Sequence, residues 1–174
     1  MIAAQLLRNA WRSRRPPAPP APDAATVTAL SQRLREAAQV RLGRSLVVFF
    51  LDAGGCNGCA LEAAALAGTL HDLARAGLSF AASPRHADVL LVGGPVTRNM
   101  QEALLRAHAA MPDPKSVVAL GDCGIDAGVF KGAYGVLGPV ADVLPVDLSI
   151  RGCPPTPAQI LDALRALLAA NATT

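Results

Sequence analysis

The sequence is short of aromatic residues, of charge and of long apolar runs. Phenylalanine, tyrosine and tryptophan make up 3% of its 174 residues, six side chains in all. Proteins that hold single-stranded nucleic acid stack bases on aromatic platforms, so this composition argues against nucleic acid as a partner. Charged residues reach 17%, against about 25% in ordinary soluble domains. Hydrophobic residues, many of them alanine, reach 52%. That excludes a disordered chain, which combines low hydrophobicity with high net charge. No uninterrupted apolar stretch in the sequence approaches the roughly 18–20 residues of a membrane-spanning helix, so none is expected.

An export signal is not expected either. Arg14-Arg15 invites a twin-arginine reading. The residues that follow are Pro16-Pro17-Ala18-Pro19-Pro20-Ala21-Pro22, and five prolines in seven residues forbid the apolar helix of a signal peptide. The expected compartment is therefore the cytoplasm. There, four cysteines are better explained as metal ligands or catalytic groups than as disulfides.

The net charge of +3 hides an asymmetry. Residues 1–44 carry eight arginines against Asp23 and Glu36, a net +6, while residues 45–174 carry eight basic and eleven acidic groups, a net −3. A basic arm on a mildly acidic body suits anionic lipid head groups or an acidic partner subunit, with nucleic acid third and a solvated tail as the plain alternative. Within the arm, Ile2, Leu6, Leu7 and Trp11 recur at near-helical spacing among arginines, the pattern of an interfacial anchor or of a helix docking on a partner. Residues 16–22 form a stiff proline-rich spacer. Residues 26–41 place Val27, Leu30, Leu34 and Ala38 on one helical face. The expected organisation is an arm over residues 1–22 and one folded domain over residues 23–174.

The body alternates short apolar runs with helical patterns. Leu46–Leu51, Leu78–Ala81, Val89–Val92, Val117–Leu120 and Val143–Val146 read as strands. Residues 61–76, 100–110 and 158–170 read as helices, with Thr156 and Pro157 suited to start the last. Continuous apolar strands separated by helices predict a parallel sheet covered on both faces. The expected fold class is α/β, a flavodoxin-like doubly wound sheet with one core.

The cysteines are Cys56, Cys59, Cys123 and Cys153, and each group follows a predicted strand region. In a doubly wound sheet, the loops at the carboxyl ends of the strands share one edge, where ligands bind. Four thiolates gathered there indicate Zn²⁺ or an iron–sulfur cluster. Structural zinc sites usually draw on two Cys-x-x-Cys knuckles; here there is one, and the other ligands lie 64 and 30 residues further on. Cys153-Pro154 resembles the Cys-Pro that ends the ligand run of many cubane clusters. A thioredoxin-like reading of Cys56 and Cys59 leaves the other two cysteines without a role. The flanking Gly54, Gly55, Gly58, Gly121, Gly124 and Gly152 are expected to aim amide N–H groups at the sulfurs. Asp52, Asp122 and Asp126 read as turn-holding residues, and His71 and His108 as helix-surface residues.

Four segments carry a family resemblance: Cys56-Asn-Gly-Cys59-Ala-Leu-Glu62, Ser83-Pro-Arg-His-Ala-Asp-Val-Leu-Leu-Val92, Gly121-Asp-Cys123 and Gly152-Cys-Pro-Pro155. Over about residues 45–168 the chain resembles the small subunit of energy-converting, membrane-bound [NiFe] hydrogenases of the formate hydrogenlyase and hydrogenase-4 type. The same superfamily includes the B-type component of complex I, which carries the terminal [4Fe-4S] cluster. The complex I version has adjacent cysteines at the first motif, whereas two residues intervene here, as in hydrogenases. Ala60 stands where the hydrogenase branch tends to have an acidic residue, and Thr156 where many members have Arg.

The resemblance implies one [4Fe-4S] cluster on Cys56, Cys59, Cys123 and Cys153. It implies an electron-relaying subunit, without catalysis of its own, between a ferredoxin-like iron–sulfur subunit and a large subunit. That large subunit would hold a [NiFe] centre or, in complex I relatives, a quinone-type site. Membrane subunits would complete the assembly, with this chain peripheral on the cytoplasmic side of the inner membrane. The resemblance also points to Glu62 as a redox-coupled or proton-path carboxylate, against a bland role complementing the helix dipole. Arg85 and His86 are implied to face the cluster, against a plain surface-loop reading. Lys131 and Tyr134 are candidate contacts with the partner subunit.

Overall fold

A computed structural model describes residues 44–170 apart from 72, 75 and 76. The expected arm over residues 1–22, the amphipathic helix over residues 26–41 and the boundary at residue 23 lie outside the described residues.

Five strands form one parallel sheet: β1 (Leu46–Asp52), β2 (Leu78–Phe80), β3 (Val89–Gly93), β5 (Ser116–Leu120) and β7 (Leu148–Ile150). They are ordered β2-β1-β3-β5-β7. Counted among the parallel strands alone, this is the 2-1-3-4-5 order of flavodoxin-like folds. The expected fold class is the one observed. Every residue of central β3 is buried, which is why its run Val89-Leu90-Leu91-Val92 is apolar without alternation. A second, two-stranded antiparallel pair joins β4 (Val96–Thr97) to β6 (Val136–Gly138).

The helices are α1 (Gly58–Ala65), α2 (Arg98–Ala110), α3 (Asp122–Asp126) and α4 (Pro157–Ala170). One face of the sheet packs Val48, Leu91 and Val118 against Ala63 of α1 and Ile160, Leu161 and Leu164 of α4. The other packs Leu90, Val92 and Ala119 with Leu104 of α2. The sheet is therefore covered on both faces, and its carboxyl edge stays open between the two layers.

Three sequence expectations need correction. The helix expected over residues 61–76 is α1, which ends at Ala65. The amides of Leu66, Ala67 and Gly68 bond three residues back, tightening the last turn, and Leu73 N–H then bonds Leu66 O as the chain folds back. His71 consequently lies in a turn and is 7% exposed, with no hydrogen-bond partner for Nδ1 among the described residues; it is not a helix-surface residue. His108 is on α2 and half-buried. The strand expected at Val143–Val146 is irregular backbone, since Pro145 has no N–H for a ladder. The edge strand is β7 instead, paired with Val118–Leu120.

Candidate functional site

The loops after β1, β5 and β7 carry the four cysteines to one edge. Cys56, Cys59, Cys123 and Cys153 all line a single cavity there, with Gly93 and Gly94 from the end of β3. After β1, Asp52 Oδ1 accepts from Gly54 N at 2.9 Å and Gly55 N at 2.8 Å. Asp52 holds this turn, as expected. Thr97 braces it by donating its hydroxyl to Ala53 O at 2.9 Å. Asn57, with φ +69°, turns the chain so that α1 begins at Gly58.

The loops after β5 and β7 are tied to each other. Asp122 N–H donates to Gly152 O at 2.9 Å, and Gly152 N–H donates back to Asp122 Oδ1 at 3.0 Å. This reciprocal pair sets Cys123 beside Cys153. Gly121 has φ +82°, and a Cβ there would meet Cys59 Sγ at 2.6 Å. At Gly128 a Cβ would meet Cys123 Sγ at 2.9 Å. Glycine is required where backbone approaches the sulfurs this closely.

The expected amide-to-sulfur bonds are mostly not made. Gly54 and Gly55 amides go to Asp52, and that of Gly152 to Asp122. Gly121 N–H bonds Ile150 O, and Gly124 N–H bonds Gly121 O. The Val129 amide acts on the Cys123 thiol and favours its ionised form, an influence with no signal in the sequence. Asp126 holds its turn by accepting from Gly128 N at 2.8 Å.

Burial pushes the Cys59 thiol up to about 11; crowding by the thiols of Cys56, Cys123 and Cys153, and then the Asp52 carboxylate, adds to it. Its S–H donates to Leu120 O at 3.8 Å. Burial and Cys153 likewise raise Cys123, while the Val129 amide opposes. Four soft donors that repel one another as thiolates are suited to a cationic thiophilic group, which removes the repulsion. Among the described residues, no three Cys, His, Asp or Glu side chains are already gathered as a single-ion site. The donor set and the glycine backbone packed on the sulfurs fit an iron–sulfur cluster.

The remaining expected site residues are not brought to this cavity. Glu62 is half-buried on α1 and does not line it. It is the fifth residue of the helix, beyond the first turn where a carboxylate complements the dipole. Arg85 and His86 are exposed on a short 3₁₀ turn, Pro84–His86, which precedes β3 and does not line the cavity. Sequence reasoning missed Gly93-Gly94 and Phe50, which also line the cavity. The glycine pair directly after a buried strand was the available signal.

The family described as "NADH ubiquinone oxidoreductase, 20 Kd subunit" matches residues 56–167, a stretch that includes all four cysteines. Formate hydrogenlyase subunit 7 of Escherichia coli is 46% identical over 121 residues, covering 70% of this chain and 48% of that protein. The B-type component of NADH-quinone oxidoreductase from Bacteroides thetaiotaomicron is 48% identical over 100 residues, covering 57% and 51% respectively. The chain thus spans about half the length of these two relatives. A chain of the membrane-bound sulfane sulfur reductase, an archaeal respiratory membrane complex, superposes with a TM-score of 0.65 at 31% identity, covering 78% of this chain and 72% of its own. Sequence and fold agree: this chain belongs to the family of the 20 Kd subunit of NADH ubiquinone oxidoreductase.

Proposed function

We propose that Cys56, Cys59, Cys123 and Cys153 hold one [4Fe-4S] cluster, and that the chain is an electron-transfer subunit of a membrane-associated oxidoreductase complex of hydrogenase type. The observation that carries this reading is the meeting of all four cysteines, from three loops, on one cavity at the carboxyl edge of the sheet. When bound, such a cluster supplies reversible one-electron transfer. The chain's own residues do the holding: Asp52 and Thr97 shape the first cysteine loop, and Asp122 joins the second to the third.

The partners in this reading are a large subunit, a ferredoxin-like iron–sulfur subunit and membrane subunits. Val129 is 86% exposed, Tyr134 94% and Leu61 64%, and exposed apolar surface of this kind suits contact between subunits. No helix among the described residues is long and apolar enough to cross a membrane. Attachment is assigned to residues 1–22, on the cytoplasmic side of the inner membrane. Glu62, Arg85 and His86 keep the proposed role of tuning or proton coupling at the contact with the large subunit, outside the cysteine cavity.

A complex I-type role, passing electrons toward quinone, is the second reading, and the identity to an NADH-quinone oxidoreductase component supports it. The Cys56-Asn-Gly-Cys59 spacing favours the hydrogenase side. Affinity purification of the chain with its native partners separates the two. A nickel-containing large subunit supports the first reading, and a nickel-free, quinone-reducing assembly the second. Changing any one of the four cysteines to Ala is expected to strip iron from the chain in either case. Full iron retention in all four variants would remove the cluster assignment.

A further inference from the structure

Two carboxylates line the same cavity as the four cysteines, Asp52 and Asp122. Each takes the backbone amides that directly precede a cysteine. Asp52 binds the N–H groups of Gly54 and Gly55, just before Cys56. Asp122 binds that of Gly152, just before Cys153. Two consequences follow, and they have the same sign. Amide hydrogen bonds to cluster sulfurs are among the factors that set a reduction potential, and bonds that delocalise negative charge favour the reduced state. Here these three amides are spent on carboxylates. In addition, a negative charge beside a site opposes the arrival of an electron.

Resting on the cluster assignment above, we propose that Asp52 and Asp122 are paired positioning residues. They fix the loops bearing Cys56 and Cys153, and they hold the bound cluster's reduction potential low. The redox step is the gain of one electron from an external one-electron donor, with no bond made or broken. Both carboxylates line the cavity together with the four sulfurs, so their charge acts on whatever the sulfurs hold. A low potential would suit delivery of electrons to protons or to another weak oxidant.

The test is a redox titration of the full chain, reduced with dithionite and followed by EPR, for wild type, Asp52→Asn and Asp122→Asn. Asparagine keeps the Oδ1 acceptor and removes the charge. The expected result is unchanged iron per chain and a positive shift of midpoint potential in each variant. The double variant should shift by about the sum, because the carboxylates act on separate loops. Asp122→Ala removes the acceptor as well and is expected to lose iron. An intact cluster with unshifted or lowered potential in both Asn variants overturns this proposal alone. A wild-type chain with no reducible cluster overturns the cluster assignment and this proposal with it.

Discussion

Gly121 lies directly against Cys59: a Cβ at position 121 would stand 2.6 Å from the Cys59 sulfur. Backbone from the loop after β5 thus forms the floor for a cysteine from the loop after β1. Gly121→Ala is expected to displace that sulfur. It also imposes the cost of a non-glycine residue at φ +82°, ψ 159°, of order 1–3 kcal/mol. Gly132 has a similar φ of +80° with nothing within 4 Å, so Gly132→Ala carries only the backbone cost. Thermal melting should fall in both variants, and iron content only in Gly121→Ala.

The Cys59 thiol predicts a pH dependence in the metal-free chain. Its pKa rises from 9.0 to about 11 on burial among the other thiols. The folded state therefore holds this proton more tightly than the unfolded state. The corresponding stabilisation is present below about pH 9 and is lost as pH rises towards 11. In mildly alkaline buffer, iodoacetamide should modify exposed Cys56 and Cys153 well before the less accessible Cys59. Peptide mapping against time checks this order, and equal rates would contradict it.

Asp88 anchors the opposite end of the sheet. Its carboxylate accepts from Arg44 Nη2 at 2.6 Å and from Val47 N at 3.0 Å. Asp88→Ala leaves the Val47 amide without its partner, at a cost of about 1–3 kcal/mol. Arg44 is 53% exposed, so Arg44→Ala should cost less than about 1 kcal/mol. Denaturant titration measures both, and the cluster's absorbance should be the same in both variants.

Removing residues 1–22 should weaken membrane association while leaving iron content intact. Membrane fractionation and an iron assay on the truncated chain read the two properties separately. Loss of iron with the arm would show that the cluster depends on it.

Much of this architecture is legible in the residues. Val89-Leu90-Leu91-Val92 and Val117-Val118-Ala119-Leu120 are continuous apolar runs because both sheet faces bury them, and such runs need no partner to be recognised. The convergence of the cysteines follows from the rule that carboxyl-end loops share an edge. Boundaries were less legible. The alanine-rich stretch after Ala65 keeps a helical composition although the chain turns back. Pro145 broke an apolar run that otherwise resembled a strand. The destinations of the glycine amides were not legible at all. The Asp122–Gly152 pair joins residues 30 positions apart, and no local periodicity encodes such a contact.

The central claim is tested most directly by metal and acid-labile sulfide analysis of the anaerobically purified full chain, with EPR after dithionite reduction. The account predicts about four iron and four sulfide per chain and a reduced-state signal, as a single Cys-ligated cubane requires. About one zinc per chain, with no sulfide and no signal, would contradict it.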